Sequence, residues 1–269
     1  MDFRRALPYP VRVELARVRR WPAWILERPG IARAHADAAR VPFVLAAHAS
    51  PLRREGLVTD EALQRGKEQN VARAAALLDG LSISSCEIFS YHHAVGRPSR
   101  RRGFVDGLEL RDGRPARGVG GGCCQVSNLL YWLALSGGMK ITERHRHALD
   151  LFPDSGRTVP FGCGATVFYN YADLRFENVL ATPVVLSLRV DGRALRGELR
   201  TERDPGWRVE VIERDHHFRR APDGGWIREN RIHRLIRATD GTMIRDEEIA
   251  HNVARVLYEP SAIAAREAA

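Results

Sequence analysis

The chain reads as an α+β protein, with an antiparallel sheet, a central helix that begins at Cys124 and a β-rich C-terminal portion. Two segments carry helical periodicity. In residues 67–79, Val71, Ala74, Ala75 and Leu78 recur at i, i+3, i+4 and i+7, and Gly80 stands where a C-cap belongs. Beyond Cys124, Val126, Leu129, Leu130, Leu133 and Ala134 recur in the same way until Gly137 and Gly138 end the run. From residue 183 the pattern changes to extended segments, punctuated by Asp191-Gly192, residues 222–225 and Asp240-Gly241. Three parts follow: a basic, proline-containing segment over 1–40, a core domain over 41–182 and a β-rich extension over 183–269.

Taken in order, residues 11–20 place Val11, Leu15 and Val18 at helical spacing, which favours a short basic helix over a strand. Residues 42–47 (PFVLAA) form an apolar run expected as a buried strand, broken by Ser50-Pro51. Residues 81–90 alternate enough for one or two strands, residues 96–98 make a turn, and Asp112-Gly113 marks a hairpin after residues 108–110. Residues 139–142 begin a strand, and residues 165–169 (ATVFY) read as the next one. In the extension, residues 183–190 and 194–200 face each other across a tight turn, and 207–214, 226–238 and 243–256 are extended. His216-His217 falls in a polar stretch read as loop.

A net charge of +9 and a pI of about 10.0 would suit a nucleic-acid partner. The distribution argues otherwise, because Lys67 and Lys140 are the only lysines and arginine is scattered throughout, often beside acids as in Glu143-Arg144 and Glu213-Arg214. No zinc-finger spacing, RNP-type strand or basic heptad segment accompanies it, so no nucleic-acid partner is expected. An anionic small molecule or lipid head group suits the charge better. Four cysteines with an adjacent pair, Cys123-Cys124, point to a reduced compartment. Pro8, Pro10, Glu14 and Arg17 interrupt any signal-peptide core, and no long apolar window occurs, which leads to an expected cytoplasmic location. The basic N-terminus leaves peripheral contact with an anionic membrane open.

Reactive chemistry concentrates in residues 120–167. Gly120, Gly121 and Gly122 precede the central helix, and a cysteine in its first turn feels the positive end of the dipole, which favours the thiolate. Cys123 lies three positions before Val126 and shares the core face, whereas Cys124 points elsewhere and is the candidate nucleophile. About twenty residues on, His145 and His147 alternate on the expected strand and face one way, with His147 as candidate general base and His145 in reserve. Papain-like and transglutaminase-like enzymes use this arrangement to attack an amide or ester carbonyl. At each position a packing role competes, since free cysteine is among the most buried residue types. Backbone N–H groups over 121–124 would form the oxyanion site, and Gly120, Gly121, Gly122, Gln125, Ser127 and Arg144 would contact substrate.

The motifs GGG-x-C-Q-V-S-x-x-L-Y, E-R-H-x-H, G-x-x-A-T-V and D-L-R-F-x-N, in order over residues 118–178, resemble the VanW family. Gln69-Asn70 and residues 88–90 are similar to family regions before the glycine run. In that resemblance the family cysteine corresponds to Cys124, with Cys123 at a variable position, and His145 and His147 match the paired histidines. The family usually reads D-A-T-V where this chain has Gly164-Ala165-Thr166-Val167. With that acid missing, Asp173 or Asp150 is left to orient the imidazole. The resemblance brings no established reaction.

The function expected is a cysteine-dependent acyl transferase or amide hydrolase acting on a small amide or peptide of the cell wall or of specialised metabolism. Cys124, His147, His145 and Asp173 would carry it without a cofactor. One alternative is a noncatalytic accessory protein that binds a peptidoglycan precursor or a partner enzyme. Another is a zinc site at Cys124, His145 and His147, disfavoured because Cys123-Cys124 is not a C-x-x-C spacing and no second pair closes the site.

Overall fold

A five-stranded antiparallel sheet with two long helices on it forms the centre of the computed structural model, which describes residues 8–53, 60–111, 114–146, 149–150 and 158–260. The elements run α1 (Tyr9–Leu26), β1 (Ala34–His35), β2 (Phe43–Pro51), α2 (Glu61–Leu78), β3 (Leu81–Ile83), β4 (Ile88–Ser90) and α3 (Tyr91–Val95). A hairpin of β5 (Asp106–Arg111) and β6 (Arg114–Val119) leads into α4 (Cys123–Ser136). Then come β7 (Lys140–Glu143), β8 (Leu149–Asp150), β9 (Arg175–Glu177), β10 (Val184–Val190), β11 (Ala194–Thr201), β12 (Trp207–Arg220), β13 (Trp226–Ala238) and β14 (Met243–Val256). The central sheet has the order β1-β3-β10-β11-β2; β4-β9-β7 form a second sheet and β12-β13-β14-β8 a third. The fold is therefore α+β with a β-rich C-terminal region.

Helix α2 starts earlier than its apolar repeat suggests. The Asp60 carboxylate caps it by accepting from the N–H groups of Ala62 at 2.8 Å and Leu63 at 3.3 Å. Gly66, which reads as a helix breaker, instead lets the β5 backbone pass: a Cβ there would stand 1.9 Å from the Asp106 carbonyl oxygen. The inner face of α2, with Val71, Ala74, Ala75 and Leu78, is almost fully buried, as is the α4 face formed by Val126, Leu130, Leu133 and Ala134. Helix α4 lies across β11, where the absence of a side chain at Gly197 admits Leu129 and Leu133. These two helices bury the apolar surface that makes them helices.

The hairpin β10–β11 belongs to the central sheet, pairing with β3 on one side and β2 on the other. Val184, Val185 and Leu186 are buried in succession, as in a strand covered on both faces. A boundary at 183 would therefore cut this sheet; the separate C-terminal sheet begins at Trp207. Strand β2 runs through Ser50 and ends at Pro51, where the proline stands opposite Ala194. Residues 165–169 are not a strand, having a single bridge between Phe168 and Ala172. His216 and His217 lie within β12 beside a register shift, and the side chains of His216 and Arg228 meet at 2.9 Å.

Of two buried arginines, one ties the C-terminal sheet within itself, from β13 to β8, and the other ties it to the core. Arg228 donates to Asp150 at 3.1 Å, an acid that also accepts from the Tyr258 hydroxyl at 2.8 Å. Arg234 donates to the Met139 carbonyl at 2.6 Å. Trp207 closes over Gly138 just beyond the end of α4. Among the described residues, no helix is long and apolar enough to cross a membrane.

Candidate functional site

The N-terminus of α4 is built by close backbone packing. Gly120 and Gly122 have φ of +85° and +106°, a region that L side chains avoid, which is why glycine stands there. Gly121 would place a Cβ 2.4 Å from the Gly107 backbone, and Gly122 would place one 2.8 Å from the Lys67 side chain. The buried Asn70 amide of α2 stitches the region by donating to the carbonyls of Val105 and Gly121, both at 2.9 Å, and accepting from the Val105 N–H. Three backbone N–H groups here are already used: Gly120 to Val105, Gly121 to Gly118 and Cys123 to Gly120. The three glycines thus let α2 and β5 pack closely against the start of α4.

Cys123 is buried in the core, and burial pushes its thiol pKa up to about 12. Cys124 is half-buried as a residue, yet its sulfur points inward at the Val167 carbonyl, 3.9 Å away. Burial, with a smaller contribution from Glu109, raises its pKa. Burial disfavours the thiolate, and the contact with Val167 opposes that rise in part. Among the described residues, no imidazole hydrogen-bonds to Cys124.

The expected base is not placed on a strand. Strand β7 ends at Glu143, residues 144–146 are irregular, and His147 lies outside the described residues. His145 is largely exposed and its Nε2 meets the Glu143 carboxylate at 3.0 Å. The other expected contact residues hold the chain together. Gln125 donates to the Ser50 hydroxyl at 2.9 Å and the Pro51 carbonyl at 2.7 Å, and Ser127 donates to the Ala165 carbonyl at 2.7 Å. Arg144 donates to the carbonyls of Gly164, at 2.9 Å, and Gly162, and its guanidinium lies over the Tyr131 ring. Segment 162–167 is therefore fixed by side chains of α4 and Arg144 in place of a strand ladder. Among the described residues, no group of three or more His, Cys, Asp and Glu side chains could hold a metal ion.

Asp173 belongs to a different constellation. Fully buried, it accepts from the Ser90 hydroxyl at 2.5 Å, the N–H groups of His92 and Leu174 at 3.1 and 2.9 Å, and Arg175 at 3.0 Å. Ser90 Oγ also lies 2.8 Å from His93 Nδ1, and His93 Nε2 lies 3.2 Å from the Trp24 carbonyl. The order is acid, hydroxyl, imidazole, whereas a hydrolytic triad needs the imidazole between the other two. Burial lowers the pKa of His92 and of His93, so both favour the neutral form.

Helix α1 roofs this cluster. Trp24 stacks on His93 with ring centroids 4.2 Å apart, Arg17 donates to the Tyr169 carbonyl at 2.8 Å, Arg20 pairs with Glu143 at 2.5 Å, and Glu27 pairs with Arg175. Beneath it, the side-chain amide of the fully buried Asn170 has no hydrogen-bond partner at either atom among the described residues. The same holds for Trp24 Nε1, Arg20 Nε, Arg175 Nη2 and His92 Nδ1. Such groups are costly unless satisfied, and donors predominate among them. Sequence reading did not single out Ser90, His92, His93, Asn170 and Arg175 as site residues; the adjacent His92-His93 pair directly after Ser90-Tyr91 was the available signal.

A family model described as "VanW like protein" matches residues 66–200, which include most of α2, all of α4, Cys124, His145, His147, Asp173 and nearly all of the β10–β11 hairpin. Vancomycin B-type resistance protein VanW of Enterococcus faecalis is 30% identical over 146 residues, covering 54% of this chain and 53% of the relative. Uncharacterized protein YoaR of Bacillus subtilis is 28% identical over 134 residues, covering 49% of this chain and 42% of the relative. The chain thus spans about half the length of the curated relatives it matches. No solved structure matches it.

Proposed function

The chain belongs to the VanW family, and from that premise we propose that it is a noncatalytic accessory protein that binds a peptidoglycan-type peptide through the polar cluster beneath α1. The observation that supports this reading is the direction of the Cys124 sulfur, which points inward at the Val167 carbonyl, where burial raises its pKa. A nucleophilic cysteine needs the thiolate or a base within hydrogen-bond reach. The buried donors of Asn170, Trp24, Arg20 and Arg175 suit the carbonyl and carboxylate oxygens of a peptide. The link of the enterococcal relative to vancomycin resistance supports a ligand from the cell wall.

The test is calorimetric titration of the intact chain with a soluble peptidoglycan-precursor peptide. Wild type and Cys124→Ala bind alike, whereas Asn170→Ala weakens binding about tenfold, the equivalent of one lost buried hydrogen bond. Release of a cleaved or transferred product by wild type, abolished in folded Cys124→Ala, would overturn the proposal. That outcome would install the second reading, a cysteine acyl transferase or hydrolase, which the placement of Cys124 in the first turn of α4 favours. In that reading His147 is the general base.

A further inference from the structure

Helix α1 is docked with its polar side inward. Arg17, Arg20, Trp24 and the following Glu27 face the protein, while Val11, Leu15, Val18, Ile25 and Leu26 face outward, with Val18 64% and Leu26 79% exposed. The outward residues recur at steps of four, three, seven and one, so they form one stripe along the helix. Trp21 stands half-exposed at its side. A helix that merely completes a soluble domain buries its apolar stripe, and here the arrangement is reversed.

The charges beside the stripe identify what covers it. Arg12, Arg19 and Arg28 are exposed, and the helix carries four arginines against one glutamate, Glu14, which is itself paired with Arg17. In a chain of net charge +9, a second copy laid on this stripe would bring two such arginine sets together. An anionic bilayer offers both an apolar layer for the valines and leucines and phosphates for the guanidinium groups, with tryptophan favoured at the boundary.

We propose that the outer face of α1 is a membrane-interface site that seats the protein on anionic lipid, with the helix lying flat and still docked on the body. The polar cluster beneath it then lies close to the lipid surface. This assignment is independent of what that cluster binds.

The experiment is co-sedimentation of the full chain with phosphatidylcholine vesicles prepared with and without phosphatidylglycerol. Binding is expected on the phosphatidylglycerol vesicles, with a fall as salt is raised. Leu15→Glu/Val18→Glu, at positions outside the core, should leave the melting temperature unchanged and reduce binding at least tenfold, about the effect of withdrawing two buried aliphatic side chains. Arg12→Gln/Arg19→Gln should weaken binding and flatten its salt dependence. Equal binding to neutral vesicles, no binding to anionic ones, or undiminished binding by folded Leu15→Glu/Val18→Glu would each overturn the proposal. So would a concentration-dependent dimer in light scattering that the same substitution dissolves, since the stripe would then serve a second copy.

Discussion

Cys124 is a side chain whose place in the first turn of α4 is legible in the sequence and whose surroundings are not. Periodicity separates it from Cys123, because the distance to Val126 is visible in the chain; the enclosure of its sulfur by Val167 is not, because that contact joins residues 43 apart. Alkylation reads the difference. Iodoacetamide at about pH 7.5 should label exposed Cys86 quickly and leave Cys124 and Cys123 largely unmodified until the protein is unfolded, as mass mapping of the labelled peptides would report. Rapid labelling of native Cys124 would contradict the neutral, enclosed thiol. Asp173 was equally visible, whereas its neighbours were not: it anchors Ser90, the start of α3 and Arg175. Asp173→Ala removes the buried acceptor shared by Ser90, His92, Leu174 and Arg175, and should cost about 3–5 kcal/mol in denaturant unfolding. A loss under about 1 kcal/mol would show that the network is dispensable.

At the scale of elements, the legible features were those set by local repeats. The helix beginning at Cys123, the apolar face of α2 and the extended segments 226–238 and 243–256 each carry their period within a dozen residues. The illegible features depend on partners distant in sequence. Helix α2 begins before its apolar repeat because Asp60 caps it, and it tolerates Gly66 because β5 passes there. Strand β7 stops at Glu143, so alternation does not extend to His145, and the expected strand at 165–169 is replaced by side-chain bonds from Ser127, Asn128 and Arg144. The three glycines were read as a cradle for a ligand, yet their neighbours are Gly107, Pro98 and Lys67. Gly121→Ala decides between these roles. A Cβ 2.4 Å from the Gly107 backbone cannot be relieved by rotating a side chain, so the substitution should lower stability by about 3 kcal/mol or more. Unchanged stability, with ligand binding alone impaired, would return the glycines to the role of a cradle.

Across the whole molecule, arginine binds layers together more than it decorates a surface. Arg228 joins β13 to β8 within the C-terminal sheet, Arg234 joins that sheet to the core, Arg144 joins β7 to the 162–164 segment, and Arg20 and Arg175 join α1 to the body through Glu143 and Glu27. The net charge therefore overstates how much positive surface is free, and it remains large enough to make added protons unfavourable. Three histidines supply them. Burial lowers the pKa of His48, His92 and His93 below the usual value of about 6.5, so the unfolded chain takes up protons before the folded one does. Stability is then fully present above about pH 6.5 and declines as pH falls through that value toward the folded pKa values. The depressed carboxylates act lower: Asp204, held near 2 by Arg208, contributes stability that fades only as the pH drops below the ordinary aspartate range. Urea midpoints should accordingly fall between about pH 7.5 and about pH 5.5, where acidic groups are still ionised. His92→Gln, whatever it does to absolute stability, should make that decline shallower, because its side chain has no proton to gain. A decline of equal steepness in wild type and variant would mean that His92 contributes nothing to it.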